Sequence, residues 1–202
     1  MTSAIRNGLA IGAMTILLGA CASKGQTTSQ YDFGPLAQQP LVQPGAINAV
    51  IVADITGPAS LDNEHMYYRL LYADARQSRP YAYNQWTSTP LQLLTQRMKT
   101  RLAQSGVKVL STTDAAASIT LLRMEVDDFA QNFDSATSSN GVISLRASVF
   151  RSHRLADQKT FTRSSQAPSA DAAGGARALA DAADGLAADV QAWLAALPLP
   201  KE

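Results

Sequence analysis

The chain is short of the groups that most chemistry requires. Among 202 residues there is one cysteine, Cys21, and there are two histidines, His65 and His153. A single thiol excludes an internal disulfide and a paired-cysteine zinc site, so the folded part must hold without covalent or metal staples. No Gly-x-Ser-x-Gly elbow, Gly-rich phosphate loop or His-Glu-x-x-His helix occurs anywhere in the sequence. Charged residues make up 16% and aromatics 6%, with 17 basic residues against 16 acidic ones. Without a basic tail or a dense Lys/Arg patch, nucleic acid is not an expected partner. A membrane-spanning run is missing as well. The apolar stretch from Gly8 to Ala22 spans only about 22 Å as a helix, short of a bilayer core of ~30 Å.

What is present begins with that stretch. Arg6 supplies one positive charge, a mostly apolar run follows from Leu9 to Leu18, and the run closes on Leu18-Gly19-Ala20-Cys21. Charge, short apolar core and small residues are the marks of a secretory signal. The closing tetrad resembles a bacterial lipobox, in which Gly19 and Ala20 let a peptidase reach the backbone and the Cys21 thiol accepts the lipid. Residues 1–20 are therefore expected to be a lipoprotein signal peptide, with Cys21 as the lipidation site and the lipid as the sole covalent addition. Several acyl chains of the palmitate kind, at ~0.8 kcal/mol per buried CH₂, give stable anchoring. Removing Arg6 with the signal leaves the mature chain balanced in charge. Ala22 stands where bacterial lipoproteins retained at the inner membrane usually carry Asp. The likeness therefore implies the outer membrane, with the domain on its periplasmic face.

Residues 21–45 are rich in Ser, Thr, Gln, Gly and Pro and read as a flexible tether. Fully extended, it would reach roughly 80 Å. One island interrupts it, Tyr31-Asp32-Phe33-Gly34, expected as a short strand docked on the domain that fills residues 46–198.

Within that domain, Val50-Ile51-Val52 suits a buried strand. His65 to Tyr72 alternates, and Arg79 to Trp86 is expected to pair with it through a polar turn at Asp74 to Ser78. Ser88-Thr89-Pro90 starts a helix carrying Leu91, Leu94, Met98 and Leu102 at helical spacing, closed by Ser105-Gly106. Val107 to Leu110 and Ser118 to Val126 follow as strands, and a phase slip at Asp127-Asp128 predicts a bulge. A loop is expected from Asp134 to Gly141. Val142 to Arg151 then alternates cleanly, Lys159 to Ser165 reads as an edge strand, and Ser169 is placed as the cap of a long C-terminal helix. Ala172, Ala176, Leu179, Ala183, Leu186, Val190, Trp193 and Leu197 form its apolar stripe. Two helices with one apolar face each call for two layers, an α+β fold with a mostly antiparallel sheet.

Few residues qualify for chemistry. His65 beside Asp62 and Glu64 reads as a solvated loop rather than a metal site, and His153 as the polar end of a hairpin. Asp127 and Asp128 are neighbours on a strand and face opposite ways, which disfavours an acid/base pair. Neither a catalytic residue nor a metal ligand set is expected. The aromatic group around Tyr67, Tyr68, Tyr72, Tyr81, Tyr83 and Trp86 is denser. Tyr68 and Trp86 are assigned to the core, and Tyr67 and Arg69, on the opposite face, to a partner-binding surface.

In this order the pieces resemble the ABC-type transport auxiliary lipoproteins, the outer-membrane lipoproteins of MCE and paraquat-inducible lipid transport systems. The residues that carry the resemblance are Cys21, Tyr31-Asp32-Phe33-Gly34, Val50-Ile51-Val52 with Leu61-Asp62, Met66-Tyr67-Tyr68-Arg69, Trp86 before a Leu-rich helix, and Gly106-Val107-Lys108-Val109. The strand ending near Phe129 and the final helix also correspond. The departures are the Ala-rich final helix with Gly174, Gly175 and Gly185, and the polar strand after His153. The resemblance implies a non-enzymatic lipoprotein that docks a periplasmic MCE-domain protein at the outer membrane, with self-association as a further possibility. A lipoprotein that assists assembly of a secretin or a lipopolysaccharide transporter is the alternative.

Overall fold

The computed structural model describes residues 26–36, 47–114 and 119–198. The signal peptide and lipobox, Leu18, Gly19, Ala20 and Cys21, lie outside them. The elements run β1 (Ser29–Tyr31), β2 (Ala49–Val52), a 3₁₀ turn (Ala59–Leu61), β3 (His65–Leu70), β4 (Asp74–Trp86), α1 (Pro90–Gln104), β5 (Lys108–Leu110), β6 (Thr120–Ser135), β7 (Ser138–Arg151), β8 (Arg154–Gln166) and α2 (Ala172–Ala196).

β6 is the spine. One edge pairs antiparallel with β7 along nearly its whole length, and β7 pairs antiparallel with β8. The other edge takes two short strands end to end. β2 lies parallel to the start of β6, with Val50 opposite Thr120, and β3 lies parallel to its end, with Tyr68 opposite Gln131. β5 adds to β2 in parallel, β4 to β3 antiparallel, and β1 to β4 in parallel. The fold is α+β, as expected, and the sheet is mixed. Its long ladders are antiparallel, and the parallel contacts are confined to short segments.

The bulge in β6 follows from the sequence phase. Thr120, Leu122, Met124 and Val126 are buried on alternate positions, the register shifts between Val126 and Asp128, and Phe129, Gln131 and Phe133 then take the buried side. In β7, Ile143, Leu145, Ala147 and Val149 are fully buried against the helices. The expected loop at Asp134 to Gly141 is mostly strand, because Ser, Asn and Gly there continue the ladder into a tight turn between Ser135 and Ser138. The expected turn at Asp74 to Ser78 is also strand. The chain reverses earlier, at residues 71–73, and β4 absorbs the surplus in two register shifts against β3.

Thr89 caps α1, its hydroxyl accepting from the Gln92 N–H, with Pro90 at the first helical position. The cap of α2 is Asp171 rather than Ser169. Its carboxylate accepts from the Gly174 N–H at 2.7 Å, while the Ser169 hydroxyl donates to the same oxygen at 2.8 Å. These bonds hold the Asp171 carboxyl below its ordinary range, with the Gly174 N–H the largest cause.

The glycines and alanines of the C-terminal half let backbones meet. A Cβ on Gly141 would lie 2.6 Å from the Leu179 nitrogen, and one on Gly175 would lie 2.0 Å from Gln131 Oε1. The first two turns of α2 therefore rest closely on β6 and β7, and Ala176, Ala178, Ala182 and Ala183 are buried along the helix. The departure in composition noted above thus marks a close helix–sheet approach.

The Tyr31-Asp32-Phe33-Gly34 island docks as expected. β1 lies on β4, with Ser29 opposite Asn84, and Phe33 is buried between Trp86 and Phe129, ring centroids 5.7 and 6.3 Å away. Arg97 stacks on the Phe33 ring and donates to the carbonyls of Phe33 and Gly34. This alters the reach of the N-terminal segment. Only eight backbone steps separate Cys21 from Ser29, which extend to roughly 27 Å instead of the ~80 Å of a free 21–45 tether.

Candidate functional surface

Tyr67 and Arg69 lie on β3 where it joins β6. The Arg69 guanidinium forms a two-pronged pair with Asp128, at 2.9 and 3.1 Å, and reaches Asn132 Oδ1 at 3.4 Å. Asp128 stands at the β6 bulge, so the shift in phase creates the carboxylate that pins β3 in place. Tyr67 is half-buried beside His65, with ring centroids 6.0 Å apart. Both expected partner residues border a small cleft of about 80 Å³, which Leu61, Ser78, Asp127 and Asp128 also line. The two aspartates do share a cleft, but Asp128 is neutralised by Arg69 and Asp127 is exposed. They are not a free acid/base pair.

A larger groove of about 600 Å³ runs along α1, bordered by Asp54, Asp62, Ser88, Thr95 and Lys99. Several of its polar groups are mutually engaged. Thr95 Oγ1 accepts from the Ile55 N–H at 2.9 Å and donates to the Leu91 carbonyl at 2.7 Å. Lys99 pairs with Asp54 at 2.8 Å, and the Ser88 hydroxyl donates to Gln92. No nucleophile stands beside a base there. His65 is exposed, and His153 sits at positive φ in the turn between β7 and β8. Among the described residues, no group of three or more His, Cys, Asp or Glu side chains gathers in metal-binding geometry.

Two buried polar clusters escaped the sequence reading. Arg101 donates to both oxygens of Asp184, at 2.9 and 2.5 Å, and Arg97 Nε stands 3.6 Å from the same carboxylate. The Arg side chains are 3% and 5% exposed, and Asp184 meets both of these buried cations. Burial lowers the Arg97 pKa, and Asp184 works in the opposite direction. Two arginines four apart inside the Leu94-Met98-Leu102 stripe were the available signal. The second cluster surrounds Gln131, which accepts from the Tyr81 hydroxyl at 2.9 Å and donates to Ser139 and to the Asp171 carbonyl. Burial, with Tyr68 nearby, raises the Tyr81 pKa and keeps the phenol a neutral donor.

The remaining outward features are apolar. Among the described residues, Leu71, Tyr72, Tyr83 and Leu155 are the large hydrophobic side chains left exposed, the first two at the β3–β4 turn. Among the described residues, no helix is long and apolar enough to cross a membrane.

The mixed sheet with its two helices is a fold found in other bacterial proteins. The fold matches that of protein XCC0632 from Xanthomonas campestris with a TM-score of 0.72 at 18% identity, covering 83% of this chain and 94% of that one. The hypothetical protein CT253 from Chlamydia trachomatis is similar with a TM-score of 0.50 at 10% identity, covering 75% of this chain and 97% of that one. No curated protein sequence matches the chain. The family pattern of the ABC-type transport auxiliary lipoprotein component matches residues 31–191, and the chain belongs to that family. The match begins at Tyr31, within the docked island, and ends inside α2.

Proposed function

We propose that this lipoprotein serves an ABC transporter of the MCE kind, holding the periplasmic MCE-domain protein at the outer membrane so that lipids pass between the membranes. In this reading Cys21 carries the lipid, the domain faces the periplasm, and the role is docking without catalysis. The observation that carries it is the family match across residues 31–191, joined to the lipobox ahead of it. Further support comes from the Lys99–Asp54 pair in the α1 groove and the Arg69–Asp128 pair in the β3–β6 cleft, which engage charges that chemistry would need free. Tyr67 is the candidate partner contact, and Arg69 acts beside it with its guanidinium fixed by Asp128. Self-association into a ring would multiply such contacts.

The test is co-purification of the membrane-extracted lipoprotein with the MCE-domain protein. A complex is expected, and Tyr67→Ala should weaken it by roughly tenfold if Tyr67 is an interface anchor. Absence of a complex under gentle extraction, with both proteins present, would count against the reading. Cys21→Ala should abolish lipid labelling and release the protein from the membrane or leave its signal uncleaved.

A further inference from the structure

We propose that the end of the sheet bearing the β3–β4 turn faces the membrane, and that Leu71 and Tyr72 sit in the headgroup layer of the bilayer holding Cys21. The inference rests on the reading of Cys21 as the lipid site.

Topology fixes which end this is. β3 and β6 are parallel and end together, the Leu71 N–H donating to the Phe133 carbonyl at 2.9 Å. The β3–β4 and β6–β7 turns therefore share one end, and the β7–β8 turn at Ser152-His153 lies at the other. β1 runs parallel to β4, which starts from the β3–β4 turn, so the chain ahead of Ser29 enters from that same end.

Length adds a second constraint. β3 carries the sheet from the level of β1 to the turn in five backbone steps, roughly 17 Å of strand. The eight steps from Cys21 to Ser29 reach about 27 Å at most. An anchor at residue 21 extends only about 10 Å past the turn, so the turn lies at the surface that holds the lipid.

The side chains suit that position. Leu71 and Tyr72 are 40% and 54% exposed. A tyrosine places its ring at the acyl boundary and its hydroxyl among headgroups. The charges nearby, Asp74, Arg76, Arg79 and Asp134, include both signs, so the contact is apolar and indifferent to salt. Two such side chains bind a bilayer weakly on their own. With the lipid already inserted, the second contact is intramolecular and fixes the orientation of the domain.

The full-length lipidated protein tests this in vesicles of phosphatidylethanolamine and phosphatidylglycerol whose acyl chains are brominated near the headgroup. Trp86 and Trp193 are buried and give a constant background. The emission added by Tyr72→Trp, and separately by Leu71→Trp, should fall by roughly half or more relative to unbrominated vesicles, with no change at high salt. Leu155→Trp, on β8 beside the opposite end, should lose nothing. Unquenched emission from both turn variants, in protein whose intact mass carries acyl chains on Cys21, overturns the proposal and leaves the anchor reading standing. Quenching of Leu155→Trp to the same degree overturns it too, as does shielding of the turn only when the MCE-domain protein is added. A mass without acyl chains overturns both the proposal and the anchor reading.

Discussion

The two sides of β6 are built on opposite principles. On the β7–β8 side, α2 lies on the sheet through alanine and glycine, so backbones approach where a single added Cβ would collide. On the β3–β4 side, β3 has only six residues, and the large side chains Leu71, Tyr72 and Tyr83 reach solvent. One side gives up side-chain volume for fit. The other leaves apolar surface available, which a folded chain tolerates only if stability is secured elsewhere. Stability and contact are thereby assigned to different halves of one sheet.

Substitutions of graded effect can break that division. The largest expected effect is at Asp184, because its removal takes a carboxylate from two buried guanidinium groups. Asp184→Ala should cost about 3–5 kcal/mol in denaturant unfolding. Gly141→Val comes next, since the atoms it meets are backbone and cannot rotate away. It should cost about 1–3 kcal/mol or more. Asp171→Ala removes the α2 cap and should cost about 1 kcal/mol at neutral pH.

That last difference has a defined pH dependence. The folded chain depresses the Asp171 pKa below its ordinary 3.8. The cap therefore contributes fully above that value and is lost as pH falls through the lower folded pKa. Wild type and Asp171→Ala should accordingly converge in stability under strong acid. The smallest effect is expected on the other side of β6. Tyr72→Ser and Leu71→Ser should change unfolding free energy by no more than about 0.5 kcal/mol. A loss of several kcal/mol there would erase the contrast between the halves.

Much of the fold was legible because the apolar phase is local information. The β6 and β7 alternation, the slip at Asp127, the α1 cap and the α2 stripe all follow from neighbours in sequence. What was misread depends on distant partners. Ser, Asn and Gly at residues 138–141 look like loop until the β6 and β8 ladders on either side claim their backbone groups. Ser169 and Asp171 both qualify as caps, and only the observed helix start separates them. The Arg69–Asp128 pair was not visible in the sequence because its members lie 59 positions apart. The tether looked long because neither Arg97 nor the Trp86–Phe129 socket that holds Phe33 is near it in sequence.

The docking of β1 also has a mechanical side. Force applied at Ser29 along the axis of β1 loads the β1–β4 hydrogen bonds together in shear instead of opening them one at a time. Behind them stand the Phe33 ring in its aromatic socket and the Arg97 guanidinium on two successive carbonyls. Arg97 in turn meets Asp184, which couples that load to α2. A pull on β1 is therefore shared with α1 and α2 through the Phe33 socket and the Arg97–Asp184 contact.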